Sequence, residues 1–222
     1  MMKKLAIIHT SSATIEPLRQ LAAELLPGVF VMNWLDDSIL PELIASDGDL
    51  SLVRNRWTHY AQFAIQGGAS VVLSACSSVG ELADEIRQQV KVPVLRIDRP
   101  MAEEAVRRAD RIGVIATVSA TLGPTTRLLQ STAAANYKEI EIAPLLVTGA
   151  YAELMAGHLE IHNRLLIEAI GNLSAEVQLI LLAQASMARV IPDLPANMQN
   201  RILTSPRSGM QNAALIMEKL HG

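Results

Sequence analysis

The chain has 222 residues, half of them apolar but only 3% aromatic, so any core must be filled by Leu, Ile, Val, Ala and Met. Nineteen Lys and Arg against 22 Asp and Glu leave a net charge of −3, with no basic run longer than two residues; nucleic acid and an anionic membrane surface are poor partners for such a chain. A single cysteine, Cys76, excludes an intramolecular disulfide and a multi-cysteine zinc site, and it fits a reducing, cytoplasmic setting.

In chain order, Lys3-Lys4 precede only Leu5-Ala6-Ile7-Ile8 before His9, too short an apolar stretch for a signal peptide. No run approaches the roughly 18 apolar residues of a membrane span. Short apolar runs predict strands at Leu5–His9, Val29–Trp34, Ser70–Ser74, Val92–Arg96, Arg111–Thr117, Glu139–Ala143 and Val177–Leu182. Between them, helical periodicity covers Ile15–Leu26, Leu50–Gln66, Val79–Gln89, Leu122–Ala135 and Leu159–Gly171. The final segment reads as a strand end at Ile202–Ser205 followed by an amphipathic helix, Pro206–Leu220. Strand runs such as Val71-Val72-Leu73 and Leu179-Ile180-Leu181-Leu182 carry no polar alternation, as expected when both faces are buried. The alternation predicts an α/β chain of parallel sheets flanked by helices.

The pattern occurs twice. Ile8–Leu21 laid over Ile115–Leu128 matches at seven of fourteen positions: Ile8/Ile115, Thr10/Thr117, Ser12/Ser119, Ala13/Ala120, Thr14/Thr121, Pro17/Pro124 and Leu21/Leu128. One residue further in offset, Ala75-Cys76-Ser77-Ser78 lies over Ala183-Gln184-Ala185-Ser186. Two separate strand-to-helix turns thus recur at nearly the same separation, which predicts two similar, pseudosymmetric domains joined near residues 96–110. The first would comprise 1–97 plus 206–222 and carry Cys76; the second would comprise 98–205 and carry Gln184. Ligands of open α/β sheets bind beyond the carboxyl ends of the strands, so the expected active site is an interdomain cleft where Cys76 looks across at Gln184.

Cys76 ends an apolar strand and opens a helical segment, where the helix dipole and unpaired N–H groups favour thiolate. The competing reading is an inert, buried cysteine acting as a small hydrophobe. The turns His9-Thr10-Ser11-Ser12-Ala13-Thr14 and Thr117-Val118-Ser119-Ala120-Thr121, with Ser77, Ser78 and Ser186, offer hydroxyls and N–H groups to a small carboxylate. Ordinary N-capping by Ser12, Thr14, Ser119 and Thr121 is the other reading. Arg207 adds a guanidinium suited to a carboxylate, or a solvated surface charge. His158 and His162 have the i, i+4 spacing of metal ligands, but a solvated helical face is the better reading and no metal is expected. No G-x-G-x-x-G or Walker loop occurs, and no lysine (Lys3, Lys4, Lys91, Lys138, Lys219) sits at a predicted strand-end turn. No cofactor is therefore expected.

Val71-Val72-Leu73-Ser74-Ala75-Cys76-Ser77-Ser78 is similar to the first cysteine turn of the aspartate/glutamate/hydantoin racemase superfamily, V-x-A-C-N-[ST]. Ile112-Gly113-Val114-Ile115-Ala116-Thr117 resembles the strand that opens the second half in that family, and the resemblance spans the whole chain. It implies a cofactor-independent enzyme of racemase or isomerase type acting on the carbon beside a carboxylate of an amino acid or small dicarboxylic acid, with Cys76 exchanging the proton. A homodimer is implied by the same analogy. The family's second motif, G-C-[TA], reads Ala183-Gln184-Ala185-Ser186 here, so Gln184 stands where the second cysteine would. An amide is no proton base near neutral pH, and two-thiol racemisation is closed to this chain. His9 or a water held by Ser186 are candidate second partners. A single-cysteine decarboxylase, as among the arylmalonate decarboxylases of the superfamily, is an alternative, although those relatives keep the thiol on the second turn. A non-catalytic carboxylate-binding protein of the same fold is the other. Specificity would fall to residues such as Trp34, Tyr60 and Tyr151.

Overall fold

The computed structural model describes residues 3–220. The chain divides into two compact units, Met1–Pro100 with Pro206–Gly222, and Met101–Ser205.

In the first unit, β1 (Lys4–His9), β2 (Phe30–Leu35), β3 (Val71–Ser74) and β4 (Val94–Arg96) form a parallel sheet in the order β2-β1-β3-β4. Its helices are α1 (Ile15–Leu25), α2 (Ile39–Ala45), α3 (Ser51–Gln66) and α4 (Gly80–Arg87). β1 and β3 are central, and all four residues of β3 are buried, which is why these strands read as unbroken apolar runs. Edge strand β2 instead shows solvent at Phe30 and Leu35.

The second unit repeats the plan. The strands β5 (Arg111–Ala116), β6 (Glu141–Leu146), β7 (Leu179–Leu182) and β8 (Ile202–Thr204) are parallel in the order β6-β5-β7-β8. Around them lie α5 (Arg99–Arg108), which begins in the first unit, α6 (Ser119–Ala135), α7 (Ala150–Met155), α8 (Leu159–Ser174) and the short α9 (Ala196–Gln199). A last helix, α10 (Ser205–Lys219), brings Met210, Ala213 and Met217 against Leu5, Ile7, Leu18, Val71 and Leu73 in the core of the first unit. Its approach is close: a Cβ on Gly209 would lie 2.5 Å from the Ile97 carbonyl oxygen. Met101, Ala105, Val114, Leu129 and Leu181 lie in one core cluster of the second unit, and Ile115, Leu166, Ile170 and Ile180 lie in another.

Several boundaries differ from the sequence expectation. β6 runs two to three residues later than Glu139–Ala143, through Pro144 to Leu146. The proline is tolerated because β6 is an edge strand, where an N–H can go unused. α6 starts at Ser119 rather than Leu122, so Gly123-Pro124 falls in its second turn rather than its first. The expected junction around 96–110 is largely α5, whose buried Met101, Ala102, Ala105 and Val106 form one helical stripe. The short α2, α7 and α9 and a 3₁₀ segment, Ala185–Asp193, had no sequence signal long enough to read.

Candidate active site

Each sheet presents two strand-to-helix turns at its carboxyl edge, and the corresponding turns have the same backbone shape. Cys76 (φ −133°, ψ 124°) and Gln184 (φ −116°, ψ 135°) are both extended, and each caps a 3₁₀ segment, Ser77–Val79 and Ala185–Asp193. Ser11 (φ −155°, ψ 136°) and Val118 (φ −137°, ψ 141°) occupy the same station after β1 and β5. The supporting hydrogen bonds are duplicated too: Ala75 N–H donates to the Ile8 carbonyl and Ala183 N–H to the Ile115 carbonyl, both at 2.9 Å. Gln184 is therefore the structural counterpart of Cys76.

Cys76 is a free, partly exposed thiol. Ser77 and Ser78 beside it are buried and engaged. Thr10 follows β1 next to the β3 edge and is only 4% exposed. In the second unit the Gln184 Oε1 accepts from Thr117 N–H at 2.7 Å and from Thr117 Oγ1 at 2.8 Å. A backbone N–H can only donate, so this pair fixes the amide orientation and leaves Nε2 as the remaining donor. Ser186 is partly exposed and Ser119 is exposed.

Other expected site residues have different duties. His9 is fully buried, with Nδ1 2.8 Å from Thr14 Oγ1 and Nε2 3.0 Å from Asn33 Oδ1. Burial pushes its pKa below the ordinary histidine value, partly countered by the Asn33 hydrogen bond. With no exposed surface and both ring nitrogens engaged, His9 ties β1 to β2 and to the following turn. Thr14 completes the tie by donating to the Ser11 carbonyl at 2.9 Å. N-capping falls to Ser11, whose Oγ accepts from Ala13 N–H at 3.3 Å, and not to Ser12 or Thr14. Thr121, in the first turn of α6, is buried and engaged. Arg207 is bidentate to Glu24, at 2.7 and 2.9 Å, in an exposed ion pair, so its fork is already occupied by a carboxylate of the same unit.

His158, which precedes α8, and His162 within it do not share a solvated face. His158 is exposed beside Glu153 at 2.7 Å, whereas His162 is fully buried with Nδ1 bonded to the Ala150 carbonyl at 2.8 Å. No group of three or more metal-ligating side chains occurs among the described residues, and none of their helices is long and apolar enough to cross a membrane.

Two polar groupings had no place in the sequence reading. After β2, Asp36 accepts from Tyr60 Oη at 2.9 Å and from Ser38, and pairs with Arg56 Nε at 3.2 Å. Burial opposes its charge, but the hydrogen bonds from Ser38 and Tyr60 and the nearby Arg56 hold its carboxyl below the usual range. Tyr60 is thus committed to Asp36, and Trp34 packs against Tyr60 and Phe63 at ring separations of 6.5 Å. At the end of β4, Arg96 is 4% exposed and makes a fork to Asp98, with Nε–Oδ1 2.9 Å and Nη2–Oδ2 3.0 Å. Its Nη1 reaches Asp84 at 3.0 Å, and Asp84 in turn holds Arg99 at 2.5 Å. Burial disfavours the charge on Arg96, and the two carboxylates outweigh it, raising the guanidinium pKa above its ordinary value. The signal available in sequence was an arginine closing an apolar strand run with an acid two residues on.

A model of the Asp/Glu/hydantoin racemase family matches residues 6–213. Among solved structures, the fold is similar to glutamate racemase from Francisella tularensis, with a TM-score of 0.79 at 13% identity over 99% of this chain and 82% of that one. Aspartate racemase from Picrophilus torridus aligns at 0.67 and 13% identity, covering 96% and 94% of the two chains. Allantoin racemase from Klebsiella pneumoniae aligns at 0.63 and 18% identity, covering 98% and 87%. Among curated proteins no sequence matches this one.

Proposed function

The chain belongs to the Asp/Glu/hydantoin racemase family, and on that premise we propose that it is a cofactor-independent racemase- or isomerase-type enzyme in which Cys76 alone supplies thiol chemistry. The substrate class is a small carboxylic acid with an acidic hydrogen on the carbon beside the carboxylate, an amino acid or a dicarboxylic acid. The thiolate of Cys76 takes that hydrogen as a proton, and the C–H electron pair passes into the carboxylate to give an enediolate. Return of a proton to the same carbon, with the electron pair reforming the C–H bond, completes exchange.

The observation that carries this reading is the placement of Cys76 as the cap of the Ser77–Val79 segment at the end of a fully buried strand. The N–H groups that open such a segment can donate to a carboxylate oxygen beside the sulfur. Thr10, Ser77 and Ser78 would hold oxygens of the substrate in the first unit. Ser119, Ser186 and the Gln184 amide would do so from the second unit, with Thr117 orienting that amide through its own two donors. Preorganised donors of this kind are what a carbon acid far weaker than a thiol requires. The Gln184 amide has no proton-accepting nitrogen or oxygen near neutral pH, so residue 184 contributes hydrogen bonds only.

The test is proton exchange in D2O. D- and L-aspartate, D- and L-glutamate, and methylmalonate are incubated with the enzyme, and deuterium at the α-carbon is followed by NMR. Incorporation that disappears in Cys76→Ala supports the assignment, and equal incorporation by Cys76→Ala defeats it. Release of CO2 from methylmalonate in the same tubes would report decarboxylation in place of isomerisation.

A further inference from the structure

The two units share their plan, and among the many positions at which they differ two matched pairs adjoin the turn that carries the thiol. In the first unit, Gly80 opens α4 four residues after Cys76, and Arg96 ends β4. A Cβ added to Gly80 would lie 2.5 Å from Cζ, Nε and Nη2 of Arg96, so the guanidinium lies flush against the glycine backbone. An offset of 108 residues, the one that carries β3 and β4 onto β7 and β8, places Ala188 opposite Gly80 and Thr204 opposite Arg96. Where the side chain is missing an arginine fills the space; where a methyl is present the arginine is gone. The half with the arginine is the half with the cysteine.

A terminal guanidinium usually yields to a new methyl group. This one has little freedom, because Nε and Nη2 are forked to Asp98, which is fully buried, and Nη1 is held by Asp84 on α4 itself. Arg96 therefore joins three pieces: the end of β4, the loop into α5 through Asp98, and the first turns of α4 through Asp84 and the contact at Gly80. A buried ion pair contributes little net stability over an apolar pair of equal volume, and its best-attested use is to impose one arrangement on its surroundings.

We propose that Arg96 is a positioning residue for Cys76: its pinned guanidinium, seated on Gly80, sets the height and angle of the Ser77–Val79 segment against the strand that carries the thiol. The inference rests on the reading of Cys76 as the reacting thiol. It adds that the rigid ion-pair cluster of Arg96, Asp98, Asp84 and Arg99 is what keeps the N–H groups of that segment aimed at the sulfur.

The test reads Cys76 directly and needs no substrate. Alkylation of the protein's single cysteine by iodoacetamide is measured against pH in the full-length chain, alongside far-UV circular dichroism and thermal unfolding. Gly80→Ala, which forces a methyl into the guanidinium, should slow alkylation at pH 7 at least fivefold. Arg96→Lys, which keeps the charge and loses the planar fork, should slow it as well. The double variant should be less impaired than the two effects multiplied, because the slimmer lysine makes room for the methyl. Ala188→Gly, at the matched position of the other unit, should alkylate as wild type. If Gly80→Ala does not fold, Arg96→Lys and Asp84→Asn carry the measurement. Folded Gly80→Ala or Arg96→Lys protein with the wild-type profile overturns the proposal. Lost stability with an unchanged profile would assign Arg96 a purely structural part. Failure of deuterium exchange to depend on Cys76 would instead remove the role of the thiol and leave the alkylation result standing.

Discussion

Replacing Gln184 by leucine removes the one acceptor that serves both donors of Thr117. The side chain keeps roughly its volume, so the cost comes from hydrogen bonding. Thr117 is 6% exposed, and its N–H and Oγ1–H reach Gln184 Oε1 at 2.7 and 2.8 Å. A buried donor left without a partner costs about 1–3 kcal/mol. Two donors, with partial access to water through the half-buried position 184, bring the expected loss to about 2–4 kcal/mol. For a chain of this length that corresponds to a fall in Tm of roughly 4–16 °C. A double-mutant cycle isolates the side-chain part. Thr117→Val deletes the hydroxyl but keeps the N–H, so the cycle with Gln184→Leu should return a coupling of about 1 kcal/mol from the 2.8 Å bond alone. Gln184→Glu retains an acceptor for both donors and should lose far less. Urea unfolding followed by circular dichroism supplies all four corners. A coupling near zero, or a Gln184→Leu protein as stable as wild type, would show that the amide is not clasped by Thr117 and that its Nε2 is not held as a fixed donor.

Three further outcomes follow from the same geometry. His9 has a lowered pKa in the folded chain, so the unfolded chain binds the extra proton first; stability should be level above pH 7 and decline as pH falls through the ordinary histidine range toward the folded value. Thermal unfolding between pH 5 and 8 should show a shallower decline in His9→Asn, and an unchanged slope would contradict burial of a neutral ring. Arg207→Ala removes only an exposed pair with Glu24, so neither Tm nor protection of Cys76 from alkylation by added aspartate or malonate should change; loss of that protection would return Arg207 to the binding site. Gly113→Ala in β5 would place a methyl 2.6 Å from Leu173 Cδ2 and 3.2 Å from Val177 Cγ2, and such overpacking should cost about 1–3 kcal/mol in urea unfolding.

What could be read without coordinates depended on whether the signal was local. β1, β3, β5 and β7 are central strands buried on both faces, and unbroken apolar runs announce them. The equivalence of Cys76 and Gln184 was legible because a duplicated turn leaves a constant spacing in the sequence, whatever the surrounding identity. Pro144 concealed the end of β6, since a proline ends most strands and only the edge position excuses it. His9 read as a ligand because a polar residue closing a buried strand looks poised for chemistry; its actual partner, Asn33, lies 24 residues away on the neighbouring strand. Arg207 reads as an unpaired guanidinium for the same reason, with Glu24 lying 183 residues distant. The Arg96 cluster escaped notice because its meaning depends on a missing side chain, and the space at Gly80 acquires significance only when the guanidinium that fills it is seen.

The return of α10 to the first unit has a consequence for the order in which this chain can be assembled. Residues 101–205 are contiguous and enclose their own apolar clusters, so they can consolidate while synthesis proceeds. The first unit, although translated earlier, lacks Met210, Ala213 and Met217 until α10 has been made. Until then the helix-facing side of its sheet, at Leu5, Ile7, Val71 and Leu73, lacks these apolar partners. The half that bears the thiol is thus begun first and finished last, and a nascent chain stalled before residue 206 would expose apolar surface at that sheet.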